Sequence, residues 1–152
     1  MSVESVKKYF AENDYNYDVL EFEASTATVE LAAQALGVQP ALIAKTMSFR
    51  LKEGYALVLA AGDRRVDNRK YKDVFNQKAK MLDLEEVQEI TGHPVGGVCP
   101  FALKNDIFIY LDSSLKEYEF VYPAAGSPNS AVKITPEELQ AVTGGDWVDI
   151  CK

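Results

Sequence analysis

Apolar residues along this 152-residue chain recur at two periods. Spacings of three and four mark helices, whereas alternation or a short unbroken apolar run marks a strand. Val3, Val6 and Phe10 share one face of a helix that Ser2 caps and that ends near Asn13 and Asp14. Residues 15–23 alternate loosely and read as a strand. Thr28 is a natural N-cap for a helix over 29–36, which Gly37 stops. Pro40 opens a short turn that ends at Lys45. Residues 45–51 alternate and residues 55–61 are nearly all apolar, so Lys52-Glu53-Gly54 between them predicts an antiparallel hairpin. The second strand shows no polar face and belongs in the middle of a sheet.

Asp67 caps a basic helix over 68–75, and a short strand over 79–82 follows. Asp83 with Glu86 forms a capping-box pattern before a helix over 84–91 that Gly92 ends. Residues 107–111, 118–122 and 131–134 read as strands. Thr135-Pro136-Glu137-Glu138 opens a last helix, and 147–150 adds an edge strand. Helices and strands are mixed, and several strands follow each other directly. That order predicts an α+β fold with a mixed, mostly antiparallel sheet curled toward a barrel. No GxGxxG or phosphate-loop pattern supports a doubly wound alternative.

One stretch breaks both periods. Residues 91–101 hold three glycines, two prolines, the single histidine and one of the two cysteines. Glycine serves where φ is positive or backbone approaches something closely, and proline stiffens its surroundings. The stretch predicts a rigid loop whose amides from Gly96 to Cys99 lack a ladder partner. Either a ligand oxygen accepts from them or the loop satisfies itself.

Composition narrows the function. The hydrophobic share is 47% and the charged share 26%, as in a soluble single domain spanning 1–152. No apolar stretch has the length of a membrane span, and the N-terminus lacks a signal peptide's basic and apolar regions, so a cytoplasmic protein is expected. Two cysteines and one histidine make neither a disulfide framework nor a metal site. The formal net charge of −7 argues against general nucleic-acid and DNA binding. Its distribution is uneven, however. Residues 1–30 carry seven acids against two bases, and residues 64–80 seven bases against two acids. A local basic face suits limited contact with a polyanion, or is a solvated surface.

Candidate chemistry is sparse. Lys45 stands at the mouth of a strand, where an ammonium grips an anion, polarises a carbonyl or snorkels to water. Cys99 lacks a CxxC partner and reads as a packed thiol rather than a nucleophile. His93, between a helix stop and a proline, reads as a loop-structuring group rather than a base. Asp63 either orients Lys45 or caps a turn.

The ordered set Thr28-Val29-Glu30-Leu31-Ala32-Ala33, Ala44-Lys45-Thr46, Ala61-Gly62-Asp63, Gly96-Gly97-Val98-Cys99-Pro100-Phe101 and Ala125-Gly126-Ser127-Pro128-Asn129 resembles the YbaK/EbsC-type aminoacyl-tRNA editing (deacylase) domain. That family is related to the editing insertion of bacterial prolyl-tRNA synthetase. The resemblance covers nearly the whole chain. It implies a barrel-like sheet surrounded by helices and hydrolysis of the ester of mischarged tRNA, with Cys- or Ala-tRNA(Pro) as the usual substrates. Lys45 matches the family's essential lysine, and Gly96 to Pro100 its GxxxP loop. The catalytic set so implied is Lys45, Gly96 and Gly97, with Thr28, Asp63, Val98, Cys99, Pro100, Gly126 and Ser127 as substrate contacts. Arg64, Arg65, Arg69 and Lys70 are the expected tRNA contacts. No cofactor or metal is implied, and the expected partners are tRNA and prolyl-tRNA or another synthetase. Cys99 stands where the family often has serine. A non-catalytic relative that binds an aminoacyl group or nucleotide is the alternative, and a Cys99-dependent hydrolase a weaker one.

Overall fold

The computed structural model describes residues 2–152. The chain runs α1 (Ser2–Glu12), β1 (Val19–Glu21), α2 (Val29–Leu36), a 3-10 turn (Pro40–Leu42), β2 (Ile43–Leu51), β3 (Gly54–Ala61), α3 (Asn68–Phe75) and α4 (Leu84–Thr91). It continues through β4 (Phe108–Asp112), a 3-10 helix (Ser113–Glu117), β5 (Tyr122–Pro123), β6 (Ser130–Val132), α5 (Pro136–Thr143) and β7 (Asp146–Val148). The architecture is α+β, with helices around a curled mixed sheet of order β5-β2-β3-β4-β7 and a smaller β1-β6 pair. The long β2–β3 hairpin and β1–β6 are antiparallel. The junctions of β2 with β5, β3 with β4 and β4 with β7 are parallel. Parallel neighbours need crossovers, and α3 with α4 and then α5 supply them between β3, β4 and β7.

β3 is the middle strand, and its apolar run has a physical reason. Leu59 and Ala61 enter one buried cluster with Phe10, Phe101, Leu111 and Leu139. Val58 and Ala60 enter a second with Phe49, Tyr71 and Ile150. Alternating residues face opposite sides of a strand, so a strand covered on both faces carries no polar side.

Local signals set the helix ends. Thr28 Oγ1 accepts from the Leu31 amide, Asp67 from those of Arg69 and Lys70, and Asp83 from that of Glu86. Thr135 and Glu138 form a complete capping box. Gly37, Gly92 and Gly144 end their helices in the left-handed region.

Three strand expectations change. Of residues 15–23 only Val19–Glu21 pair. Tyr15 and Tyr17 instead lay their rings edge-on to Phe10, so their alternation is aromatic packing on the end of α1. Residues 79–82 form no named strand; Met81 makes an isolated bridge to Phe49, flanked by bonds from Arg50 N to Lys80 O and from Leu82 N to Ser48 O. Of residues 118–122, Tyr122 enters β5 and Val121 makes an isolated antiparallel bridge to Ile134, and a 3-10 helix that Asp112 caps precedes them.

Candidate functional site

A cleft of about 270 Å³ lies where the outer edge of β2 is left unpaired. β5 covers β2 only at Ile43 and Ala44, and the Met81 bridge sits at Phe49. Between them the edge of β2 is open. Ser48 O and Arg50 N point outward to residues 80–82. Antiparallel alternation therefore puts the N–H and C=O of Thr46 on that same open edge. Its hydroxyl Oγ1 is buried with no hydrogen-bond partner among the described residues.

Thr28, Lys45, Gly96 and Val98 of the expected site all line this cleft. Thr46, Met47, Ser48, Met81, Leu84 and Val95 join them, and none of these six was among the expected site residues. Thr28 presents little free chemistry, because its hydroxyl caps α2. Lys45 donates its ammonium to the carbonyl of Arg64. Alternation along β2 places its side chain with Met47 and Phe49, on the face of the second cluster, whereas Cys99 and Phe101 sit in the first. The lysine and the glycine loop thus share the cleft, and the ammonium is tied to the turn after β3.

That turn is tightly determined. Arg64 N donates to Ala61 O at 3.0 Å, and Ala61 N donates to Ser114 Oγ at 3.1 Å. A Cβ on Gly62 would stand 2.2 Å from Pro40 O. The Arg64 side chain pairs with Glu117 at 2.6 Å and with Asp63 at 3.8 Å.

The loop over 94–101 closes on itself in part. Gly97 N donates to Pro94 O, and Gly97 O accepts from Gly126 N at 3.0 Å. The amides of Gly96, Val98 and Cys99 have no acceptor among the described residues. Gly97 is buried against the 126–127 backbone, where a Cβ would meet Ser127 N at 2.5 Å. Gly126 itself has φ +94° and lies against Ser2 O. Ser127 Oγ donates to Asn129 Oδ1 at 2.8 Å and holds its own turn. Pro100 is buried behind the loop.

His93 and Cys99 face inward. His93 Nε2 donates to Phe101 O at 2.7 Å, which fixes the tautomer, and Nδ1 accepts from Ser2 Oγ. Burial holds its pKa below the ordinary value. Cys99 is fully buried, with Sγ 3.5 Å from His93 Nε2, and burial pushes the thiol up to about 12. Neither side chain lines the cleft. Among the described residues its ionisable lining groups are Lys45 and Tyr122, with no carboxylate, imidazole or thiol.

The expected tRNA contacts divide. Arg64 is engaged as described, and Lys70 bonds Asp149 Oδ1 and Cys151 O. Arg65 and Arg69 are exposed. Among the described residues, no cluster of acids, histidines and cysteines is placed to hold a metal, and no helix is long and apolar enough to cross a membrane.

A family model of the aminoacyl-tRNA editing domain matches residues 23–142. The chain belongs to that family. The Bacillus subtilis protein YwhH, itself uncharacterized, is 48% identical over 100% of this chain and 98% of its own length. The Enterococcus faecalis "Putative Cys-tRNA(Pro)/Cys-tRNA(Cys) deacylase EbsC" is 27% identical over 81% of this chain and 76% of that protein. The proline–tRNA ligase of Desulfovibrio desulfuricans is 37% identical over 82% of this chain, which corresponds to only 23% of the ligase. A solved structure described as "a putative trans-editing enzyme for prolyl tRNA synthetase" matches with a TM-score of 0.91 and 33% identity, over 99% of this chain and 97% of that one.

Proposed function

We propose that this editing domain is a free-standing deacylase. It hydrolyses the ester between a mischarged amino acid and the terminal ribose of tRNA, with Cys- or Ala-tRNA(Pro) as substrate and prolyl-tRNA synthetase as the enzyme whose errors it corrects, in the cytoplasm. The observation that carries the reading is the cleft at the open edge of β2. It brings Lys45 and Thr46 into one small apolar space with Gly96 and Val98.

The amides of Gly96 and Val98, residues that line the cleft, are donors waiting for an acceptor, and the ester carbonyl supplies one as its oxygen gains charge. Preorganised main-chain donors of this kind need no rearrangement during reaction. Thr46 offers an N–H, a C=O and a hydroxyl to orient the aminoacyl group. Lys45 adds positive charge. Among the described residues the lining holds no carboxylate, imidazole or thiol, so the nucleophile is water, the vicinal ribose hydroxyl or the substrate's own side chain. Water attack breaks the bond to the ribose oxygen and gives the free amino acid and uncharged tRNA. Side-chain attack expels the tRNA and leaves a cyclic product that water opens. Attack by the vicinal hydroxyl moves the ester to the neighbouring ribose oxygen, where water then cleaves it.

The test is release of labelled amino acid from a panel of mischarged tRNAs. Lys45→Ala lowers the rate on the order of 10²–10³-fold if its charge stabilises the transition state; an unchanged rate removes that role. A second reading has its own observation. Lys45 already spends one of its donors on the Arg64 carbonyl, a fixed position that suits a binding adaptor. Retained tRNA binding with no release from any mischarged tRNA selects the adaptor.

A further inference from the structure

Six large hydrophobic side chains are markedly exposed among the described residues: Leu31, Val74, Met81, Leu84, Val95 and Phe108. Single exposed apolar residues are normal. Three of these six, however, line one cleft. Met81 is 61% exposed, Leu84 66% and Val95 48%. They come from two separate segments, residues 81–84 and the glycine loop, and converge on the same space.

What passes there follows from covalent connectivity, and this step rests on the deacylase reading above. An aminoacyl ester seated in the cleft remains bonded to its ribose. The RNA strand attached to that ribose has to leave past the rim. A tRNA 3′ end is single-stranded, so its bases are free to lay their faces on an apolar surface. Exposed Lys78 and Lys80 precede Met81 directly and enter no ion pair among the described residues. Beyond Leu84, α4 carries the exposed carboxylates of Glu85 and Glu89. A phosphate chain is therefore drawn along residues 78–80 and repelled from α4. We propose that Met81, Leu84 and Val95 form a docking rim for the bases of the single-stranded RNA 3′ end, with Lys78 and Lys80 taking its phosphates. This moves the RNA contact away from Arg64 and Lys70, whose charges are already paired.

The probes are two fluorescein-labelled RNA hairpins, one with a 3′ overhang ending in CCA and one blunt, followed by fluorescence anisotropy. The paired substitutions Met81→Ser and Leu84→Ser remove exposed apolar area with little risk to the fold. They weaken binding of the overhang hairpin about tenfold and leave the blunt hairpin unchanged. Val74→Ser, on α3, is the control at a site that does not line the cleft. Replacing Lys78 and Lys80 by Ala lowers the slope of log affinity against log salt by about 1.4, the value for two phosphates of a single strand. The same affinity for both hairpins in the wild type overturns the rim, as does an undiminished affinity in the Met81/Leu84 variant. Binding is read on uncharged RNA. Overhang binding without amino-acid release thus sinks the deacylase reading alone, and release without overhang preference sinks the rim alone.

Discussion

Gly97→Ala tests how the loop is held. A Cβ at Gly97 meets Ser127 N at 2.5 Å, Gly126 C at 2.7 Å and Ser127 Cα at 2.7 Å. All three atoms are backbone, so no side chain can swing aside. Ordinary contact begins near 3.4 Å, and relief of the closest approach takes a shift of about 0.9 Å. The Gly126 N to Gly97 O bond resists that shift. Overpacking of this kind costs about 1–3 kcal/mol, or roughly 2–12 °C in melting temperature for a chain of this size. The movement also carries the neighbouring Gly96 and Val98 amides away from the cleft. A misplacement of about 1 Å costs on the order of 10² in rate. Gly37→Ala supplies the comparison. Nothing lies within 4 Å of its Cβ, but φ is +69°, so the strain of about 1–2 kcal/mol lowers stability alone. The paired assay is thermal unfolding beside single-turnover deacylation. A Gly97→Ala protein with wild-type melting and wild-type rate refutes the tight backbone contact. One that loses stability but keeps its rate refutes the coupling of that contact to the cleft.

Three further outcomes follow from buried groups. Because burial lowers the His93 pKa from 6.5, the unfolded chain binds the extra proton first; stability is full above pH 6.5 and falls as pH drops through the folded value. Urea unfolding at pH 7 and pH 5.5 shows that loss, and His93→Asn reduces the difference between the two. Cys99 and Cys151 are both buried with thiols pushed up to about 12, so a thiol reagent labels them slowly in the native protein and rapidly in denaturant; fast native labelling of Cys99 would revive it as a nucleophile. Tyr71 is fully buried and its hydroxyl has no partner among the described residues. Tyr71→Phe therefore stabilises the fold by about 1 kcal/mol, read as a higher melting temperature.

How far the sequence led depends on the range of the interaction involved. Caps and stops are written within four residues, and Thr28, Asp67, Asp83 and Thr135 all act as their neighbours predict. The double-sided burial of β3 was visible because both faces leave their mark on one strand. Glu86 shows where local reading fails: Asp83 caps α4, but Glu86 does not complete the box and pairs with Arg50 of β2 instead. The cleft lies wholly beyond such rules. It exists because β5 stops after Pro123 and the bridge to Met81 comes only at Phe49. Nothing within Lys45–Ser48 says that its edge will lack a partner. The alternation of β2 records which way each side chain points, not which neighbour is missing. The composition of residues 91–101 did announce unsatisfied amides, yet Gly97 turned out to be bonded within the loop while Gly96 and Val98 stayed free. Which amide is spare depends on the turn to Pro94 and the dock against Gly126. A motif therefore locates such a loop, but the choice of donors belongs to contacts nearly thirty residues apart. The same holds for Lys45, whose partner is a main-chain carbonyl that carries no signature in the side-chain sequence.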